Sequence, residues 1–130
     1  MRETAVAYET ETDLPFDQAV QSCRDALSRE GFGVLTEIDV QATLKKKLDV
    51  DRDPYLILGA CHPPSAHRAL TAMPEVGVLL PCNVTVSREH GKTVIRAMNP
   101  QAALGILNNP ALDDVAREVG AALRRVVGSV

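Results

Sequence analysis

Two short apolar runs, each ending in a cysteine, constrain the fold of this chain most strongly. They are Tyr55–Cys61 and residues 76–82, and both have the length and composition of buried β-strands. About a dozen residues that include a short helix separate them, which is close to the shortest connection that returns a chain for parallel pairing. We therefore expect a parallel crossover that ends both strands at one edge of the sheet, with Cys61 near Cys82. Antiparallel pairing would instead place the two sulphur atoms at opposite edges.

The amino-terminal part of the chain predicts a strand followed by a helix. Alternating β-branched and apolar residues predict the strand over residues 3–9. Asp13 is expected to cap the helix, with Pro15 just inside it, where the missing N–H does no harm. Gly31 is expected to end the helix in a left-handed conformation. Cys23 falls on the apolar stripe of this helix, so we expect its sulphur to fill core volume.

Alternation then predicts a second strand over residues 32–40, with Val34, Thr36 and Ile38 on one face. A short amphipathic helix over Val40–Leu48 follows it. In the carboxy-terminal part, prolines and glycines separate the elements. The elements predicted there are a helix over residues 65–73, a hairpin of strands over 83–88 and 92–98 around His90-Gly91, a short helix over 100–107, and a last helix capped at Asn109-Pro110.

Composition limits the class of protein. The 130 residues are 45% hydrophobic and 24% charged, which is typical of a chain with one core, and we expect a single domain over residues 1–130. The net charge of -3 gives no field that favours nucleic acid. No secretory signal and no apolar run of ~20 residues is present, so we expect neither export nor a membrane span. Three cysteines, an odd number, indicate reduced thiols and a cytoplasmic protein.

The two strand-end cysteines are the main candidates for chemistry. If they are close, they can serve as a redox dithiol, as a soft-metal site with imidazole help, or as a nucleophilic thiol beside a histidine base. Cys61 directly precedes His62 and the start of a helix, both of which can lower a thiol pKa. Close pairs such as Cys-x-x-Cys are absent, so we expect no metal. The alternative is that both thiols are inert core residues.

Other polar residues are weaker candidates for the same site. His67 is a candidate catalytic residue beside the two cysteines, although a histidine on a short helix is more often a surface residue. Asn83 can donate or accept at the same strand ends, or satisfy the backbone after a proline. Glu37 can orient an imidazole or a lysine, or be an exposed strand residue. Lys45 belongs to a basic run that is typical of a solvated helix end.

Four segments of the sequence resemble the domain of unknown function 302 family. They are Gly33-Val-Leu-Thr-Glu-Ile-Asp-Val, Gly59-Ala-Cys-His-Pro-Pro, Ala66-His-Arg-Ala-Leu and Gly77-Val-Leu-Leu-Pro-Cys-Asn-Val. The resemblance covers nearly the whole chain and implies a small prokaryotic α+β domain of β-α-β type, with further strands and a terminal helix, that forms a homodimer. It implies no activity. The recurring positions of the family correspond to Glu37, Asp39, Lys45, Cys61, His62, Pro63, His67, Pro81, Cys82 and Asn83.

The position of His62 is often asparagine in this family, so the resemblance implies no mechanism that requires its imidazole. Together with the element pattern, it predicts an α+β two-layer sandwich. We expect a mixed or mostly antiparallel sheet of about five to six strands, with a long C-terminal helix on one face.

Two functional hypotheses follow. The first is a domain that binds a small ligand, or performs thiol chemistry, at a strand-end site around Cys61 and Cys82, with His62, His67 and Asn83 nearby. The second is a non-enzymatic dimeric structural or interaction module with inert cysteines. Aromatic residues are only 3% and tryptophan is absent, so no stacking platform indicates a nucleobase or a flavin, and the sequence specifies no cofactor.

Overall fold

Six strands form one open antiparallel sheet in the order β1-β2-β6-β5-β4-β3 in this computed structural model, which describes residues 1–130. The strands are β1 (Arg2–Glu3), β2 (Ala7–Thr12), β3 (Gly33–Asp39), β4 (Tyr55–Cys61), β5 (Cys82–Glu89) and β6 (Lys92–Met98). The helices are α1 (Phe16–Arg29), α2 (Val40–Leu48), α3 (Pro63–Ala72), α4 (Pro100–Gly105) and α5 (Asp113–Gly128). The α+β class and the antiparallel sheet with a long C-terminal helix are therefore confirmed.

The core lies between one face of the sheet and the two long helices. Helix α5 contacts β2 and β6, and α1 contacts β3 and β5. Leu58, Val84 and Ile95 point from the sheet into this layer and are fully buried, as are Leu27 of α1 and Leu123 of α5. Burying each such side chain stabilises the fold by about 1.5–3 kcal/mol, so these apolar side chains attach α1 and α5 to the sheet.

The fourth strand predicted over residues 76–82 and its parallel crossover are wrong. Pro74–Leu79 is a 3-10 helix, and β5 begins only at Cys82 and pairs antiparallel with β4. The physical reason is the distribution of prolines: Pro81 has no N–H for a sheet ladder, so the apolar run before it does not pair as a strand. Because α3 and the 3-10 helix return the chain to the end at which β4 finished, β5 starts there and runs back.

A β-bulge changes the faces that strict alternation predicts for β3. The register shifts between Val34 and Thr36, so that Thr36 lies opposite Gly59 while Val34 lies opposite Ala60. Val34 and Thr36 were expected on one face, and the extra residue at the bulge places them on different faces. The bulge directs Thr36 onto the β4 glycine.

The amino terminus also differs in detail from the sequence expectation. Residues 3–9 contain parts of two short strands, β1 and β2, that pair with each other. Pro15, not Asp13, is the N-cap residue of α1, and Asp13 instead pairs with Lys92 at 2.5 Å. Gly31 has the expected left-handed conformation, with φ of 82°. No helix of the structure has the length and apolar character needed to cross a membrane.

Candidate functional site

Cys61 and Cys82 lie at the same end of the sheet, as expected, but for a different reason. Cys82 is the first residue of β5 and lies directly opposite Ala60 in the ladder, while Cys61 is the next and last residue of β4. Directly opposed residues of antiparallel strands have Cβ atoms about 4.5–5.5 Å apart, so the two cysteines are on neighbouring backbone segments. The two cysteines come together because β5 begins at the end of the sheet where β4 finishes and pairs antiparallel with it, not because of a parallel crossover.

Both cysteines line a cavity of about 330 Å³, here called the strand-end cavity. It lies between this end of the sheet and helices α3, α4 and α5. Ala69 of α3, Leu104 of α4 and Val119 of α5 are buried residues of its wall. Leu35 and Leu70 are lining residues that are 68% and 41% exposed, so they mark its opening to solvent.

The wall of the cavity is almost entirely apolar. Of its seventeen lining residues, twelve are hydrophobic, counting the two cysteines, and the other five are two prolines, Thr36, His62 and Ser65. No aspartate, glutamate, lysine or arginine is among them. Because an apolar wall cannot replace the hydration of a charged group, this cavity suits uncharged molecules.

The start of α3 supplies the polar part of the wall. His62 is the N-cap residue of α3, and Pro63 and Pro64 occupy the first helical turn. The His62 ring Nδ1 lies 2.8 Å from the hydroxyl oxygen of Ser65, a residue that is only 4% exposed. The other side of the ring packs against Phe32, with ring centroids 5.4 Å apart. The imidazole is therefore held between the hydroxyl and the core.

A glycine is required in β4 where it pairs with β3 beside the cavity. A Cβ atom added at Gly59 would collide with the Thr36 hydroxyl and would lie 2.9 Å from Cγ of Pro81. Thr36 and Pro81 both line the cavity. The absence of a side chain at Gly59 therefore lets two wall residues approach the sheet closely.

Burial favours the protonated thiols of Cys82 and Cys23. Burial, and secondarily the neighbouring Cys61, raise the pKa of Cys82 to about 11. Burial raises the pKa of Cys23 to about 12, and this residue is fully enclosed in the core. A thiol must ionise to act as a nucleophile, so Cys82 is a poor nucleophile at neutral pH and Cys23 is a core residue.

The remaining candidate residues lie outside the cavity wall. His67 is exposed on α3, and Asn83 is exposed on β5. Glu37 forms an ion pair with Arg24 of α1 at 2.7 Å. Lys45 of α2 pairs with Asp49 at 2.8 Å and with Asp51 at 3.1 Å, two residues of the segment that follows this helix. The structure thus brings together Cys61, Cys82 and His62, and not these four.

Sequence reasoning missed several residues of the wall. Ser65 and Thr36 were not singled out, although Ser65 directly follows a proline pair that is typical of the first turn of a helix. Val119 was expected in the buried stripe of the last helix and Leu104 in the short helix over residues 100–107, but neither was expected at a site. No group of three or more histidine, cysteine, aspartate and glutamate side chains is arranged to hold a metal ion.

The fold and the site together define a small α+β domain with an apolar cavity at the strand ends. The family model of the domain of unknown function DUF302 matches residues 8–130, and the chain belongs to this family. Among solved structures, the uncharacterized conserved protein DUF302 from Bacillus stearothermophilus is similar, with 31% sequence identity and a TM-score of 0.89. The match covers 95% of this chain and 96% of that chain. No curated protein matches this chain. The family resemblance found in the sequence is thereby confirmed.

Proposed function

We propose that this protein binds a small, mainly apolar molecule in the strand-end cavity. The observation that carries the proposal is the cavity itself, about 330 Å³ in volume and lined by twelve hydrophobic residues of seventeen. Ligand sites are typically concave, about 300–1,000 Å³ in volume and mostly apolar, with a few polar groups that fix orientation. The cavity meets each of these criteria.

The volume sets the size of the ligand. An apolar cavity of ~150 Å³ holds one benzene molecule. The strand-end cavity, at about 330 Å³, is roughly twice that size and fits a compound with two fused six-membered rings or an aliphatic molecule of similar bulk. Naphthalene is therefore a suitable probe.

Thiol chemistry is less well supported than reversible binding. The raised pKa of Cys82, about 11, keeps its thiol protonated at neutral pH. A protonated thiol contributes to the wall as a small hydrophobic and polarizable group. We therefore assign Cys82 to ligand contact and, because it lines the same cavity, Cys61 as well. The free cysteines fit a reducing compartment such as the cytoplasm.

The test compares two variants of the same helix. Ala66 lines the cavity on α3, whereas Ala72 is exposed on α3 outside it. Ala66→Leu fills part of the cavity, and we expect the affinity for naphthalene, measured by its fluorescence, to fall at least tenfold. Ala72→Leu should bind naphthalene like the unaltered protein. Absence of naphthalene binding, or equal binding by both variants, would overturn the proposal.

Self-association is a second candidate function, favoured by the outer edge of β3. No strand pairs with this edge, and its residues Leu35 and Ile38 are 68% and 48% exposed. Unpaired edges of this kind are templates for pairing with another chain. If a homodimer forms here, Ile38→Lys should shift sedimentation toward the monomer, whereas Val78→Lys, at a residue that is 84% exposed elsewhere, should not. A protein that sediments as a monomer at all concentrations excludes this candidate.

A further inference from the structure

The polar groups of the strand-end cavity are concentrated at the start of α3. Apart from Thr36 at the opening, only His62 and Ser65 interrupt the wall of hydrophobic and proline residues. Ser65 is 4% exposed, and its hydroxyl oxygen lies 2.8 Å from Nδ1 of His62. A hydroxyl-bearing residue in the wall of an otherwise apolar cavity can orient a ligand.

Ser65 retains hydrogen-bonding capacity in either tautomer of His62. If Nδ1 is unprotonated, the Ser65 hydroxyl donates to it, and the oxygen of Ser65 remains an acceptor for a further donor. If Nδ1 carries the proton, it donates to Ser65, and the Ser65 hydroxyl is then free to donate as well. A ligand with one hydroxyl or carbonyl oxygen can therefore bond to Ser65 without displacing His62.

The same helix start is unsuited to an anion. Helix N-termini bind anions through their free backbone N–H groups, but the first two residues of α3 are Pro63 and Pro64, which have none. The N–H of Ala66 donates to the carbonyl oxygen of His62 and is not available. No lysine or arginine lines the cavity to compensate.

Resting on the proposed function, we infer that the ligand of the strand-end cavity is an uncharged, mainly apolar molecule with one hydroxyl or carbonyl oxygen that hydrogen-bonds to Ser65. The wall contains no aspartate, glutamate, lysine or arginine, so it disfavours carboxylates, phosphates and ammonium groups, because a charged group buried there would lose its hydration without such a partner. Ser65 is accordingly the residue that distinguishes an alcohol or ketone from a hydrocarbon of the same shape.

Three probes of nearly equal size test this inference: naphthalene, 2-naphthol and 2-naphthoate. The chain has no tryptophan and only two tyrosines, so naphthyl fluorescence at pH 7 can be followed at wavelengths longer than the tyrosine emission. We expect 2-naphthol to bind about threefold to tenfold more tightly than naphthalene, because a typical net hydrogen bond has this effect. We expect 2-naphthoate, which is ionised at this pH, to bind at least about tenfold more weakly than naphthalene.

The variant Ser65→Ala should remove the advantage of 2-naphthol and leave naphthalene binding within about twofold, because it removes the hydroxyl and no apolar contact. Thr71→Val removes an exposed hydroxyl of the same helix outside the cavity; it is the matched control and should keep the advantage.

The outcomes separate the two proposals. If none of the probes binds, the proposed function itself fails. If naphthalene binds but 2-naphthol binds no better, or 2-naphthoate binds best, the cavity is a ligand site and the inference about its ligand is wrong. The comparison of the three probes on the unaltered protein decides this even if Ser65→Ala does not fold.

Discussion

Replacement of Gly59 by alanine tests how closely β3, β4 and the cavity wall are packed. The new Cβ would overlap the Thr36 hydroxyl and lie 2.9 Å from Cγ of Pro81, where an unstrained carbon contact is about 3.5–4.0 Å. Moving Thr36 out of its rotamer costs about 0.5–1.5 kcal/mol. Overpacking against the rigid ring of Pro81 costs about 1–3 kcal/mol.

The strain at this site therefore totals about 3 kcal/mol, taking the middle of both ranges. Alanine recovers about 0.7 kcal/mol because glycine loses more conformational entropy in a strand. We expect Gly59→Ala to lower the free energy of unfolding by about 2 kcal/mol. Urea denaturation followed by far-ultraviolet circular dichroism measures this change and needs no tryptophan.

Two variants control the experiment. Gly33→Ala adds the same methyl group on β3, where no atom lies within 4 Å of the new Cβ, and it should leave stability unchanged or slightly raised. Thr36→Ala in the Gly59→Ala background removes the colliding oxygen and should recover part of the loss, while the contact with Pro81 remains. The packing argument would be refuted if the Gly59→Ala variant were as stable as the unaltered protein, or if the double variant recovered none of the lost stability.

Three further predictions concern the turn at Gly31, the thiols and the ion pairs of the outer sheet face. Gly31 has φ of 82°, so Gly31→Ala should cost about 1–2 kcal/mol in urea denaturation, and an unchanged midpoint would contradict the left-handed conformation. Iodoacetamide at pH 7.5 should modify Cys82 slowly, and the rate should increase as the pH approaches the Cys82 pKa of about 11. Cys23 should be modified only after unfolding. Rapid modification of Cys82 at neutral pH would contradict its burial. Hydrogen bonds from Arg96 and Ser87 lower the pKa of Glu89 to about 2. Since its unfolded pKa is about 4.3, this stabilisation is complete above that value and is lost as the pH falls toward about 2. The Glu89 side chain is 34% exposed, so water screens the pair. Glu89→Gln should cost only about 1 kcal/mol at pH 7, and this cost should disappear as the pH falls through about 2.

The elements that depend on local sequence were predicted well. The apolar spacing that places Leu27 and Leu123 in the core is set by the 3.6-residue period of each helix, which a sequence displays directly. The turn at His90-Gly91 was equally readable, and both residues have positive φ, at 51° and 79°. Such features need no knowledge of the rest of the chain.

The segment before Cys82 shows where local reading failed. Residues 76–82 have the composition of a strand, but strand formation requires a neighbour whose N–H and C=O groups are in register. The residues that pair with β4 begin only after Pro81. The bulge at Leu35 escaped prediction for the same reason, because a bulge is a property of two paired strands and not of one.

The sequence alone determined the five α-helices, the hairpin turn, the apolar stripes and the placement of a cysteine at the end of each of two apolar runs, because each depends on residues near one another in the chain. Only the tertiary structure decided that Cys61, Cys82, His62 and Ser65 share a wall with Val119 of α5 and Leu104 of α4. A cavity is the space left when distant elements pack, and its volume depends on every element that borders it. The site is therefore a product of the packing of α3, α4 and α5 against the strand ends, which no local pattern in the sequence contains.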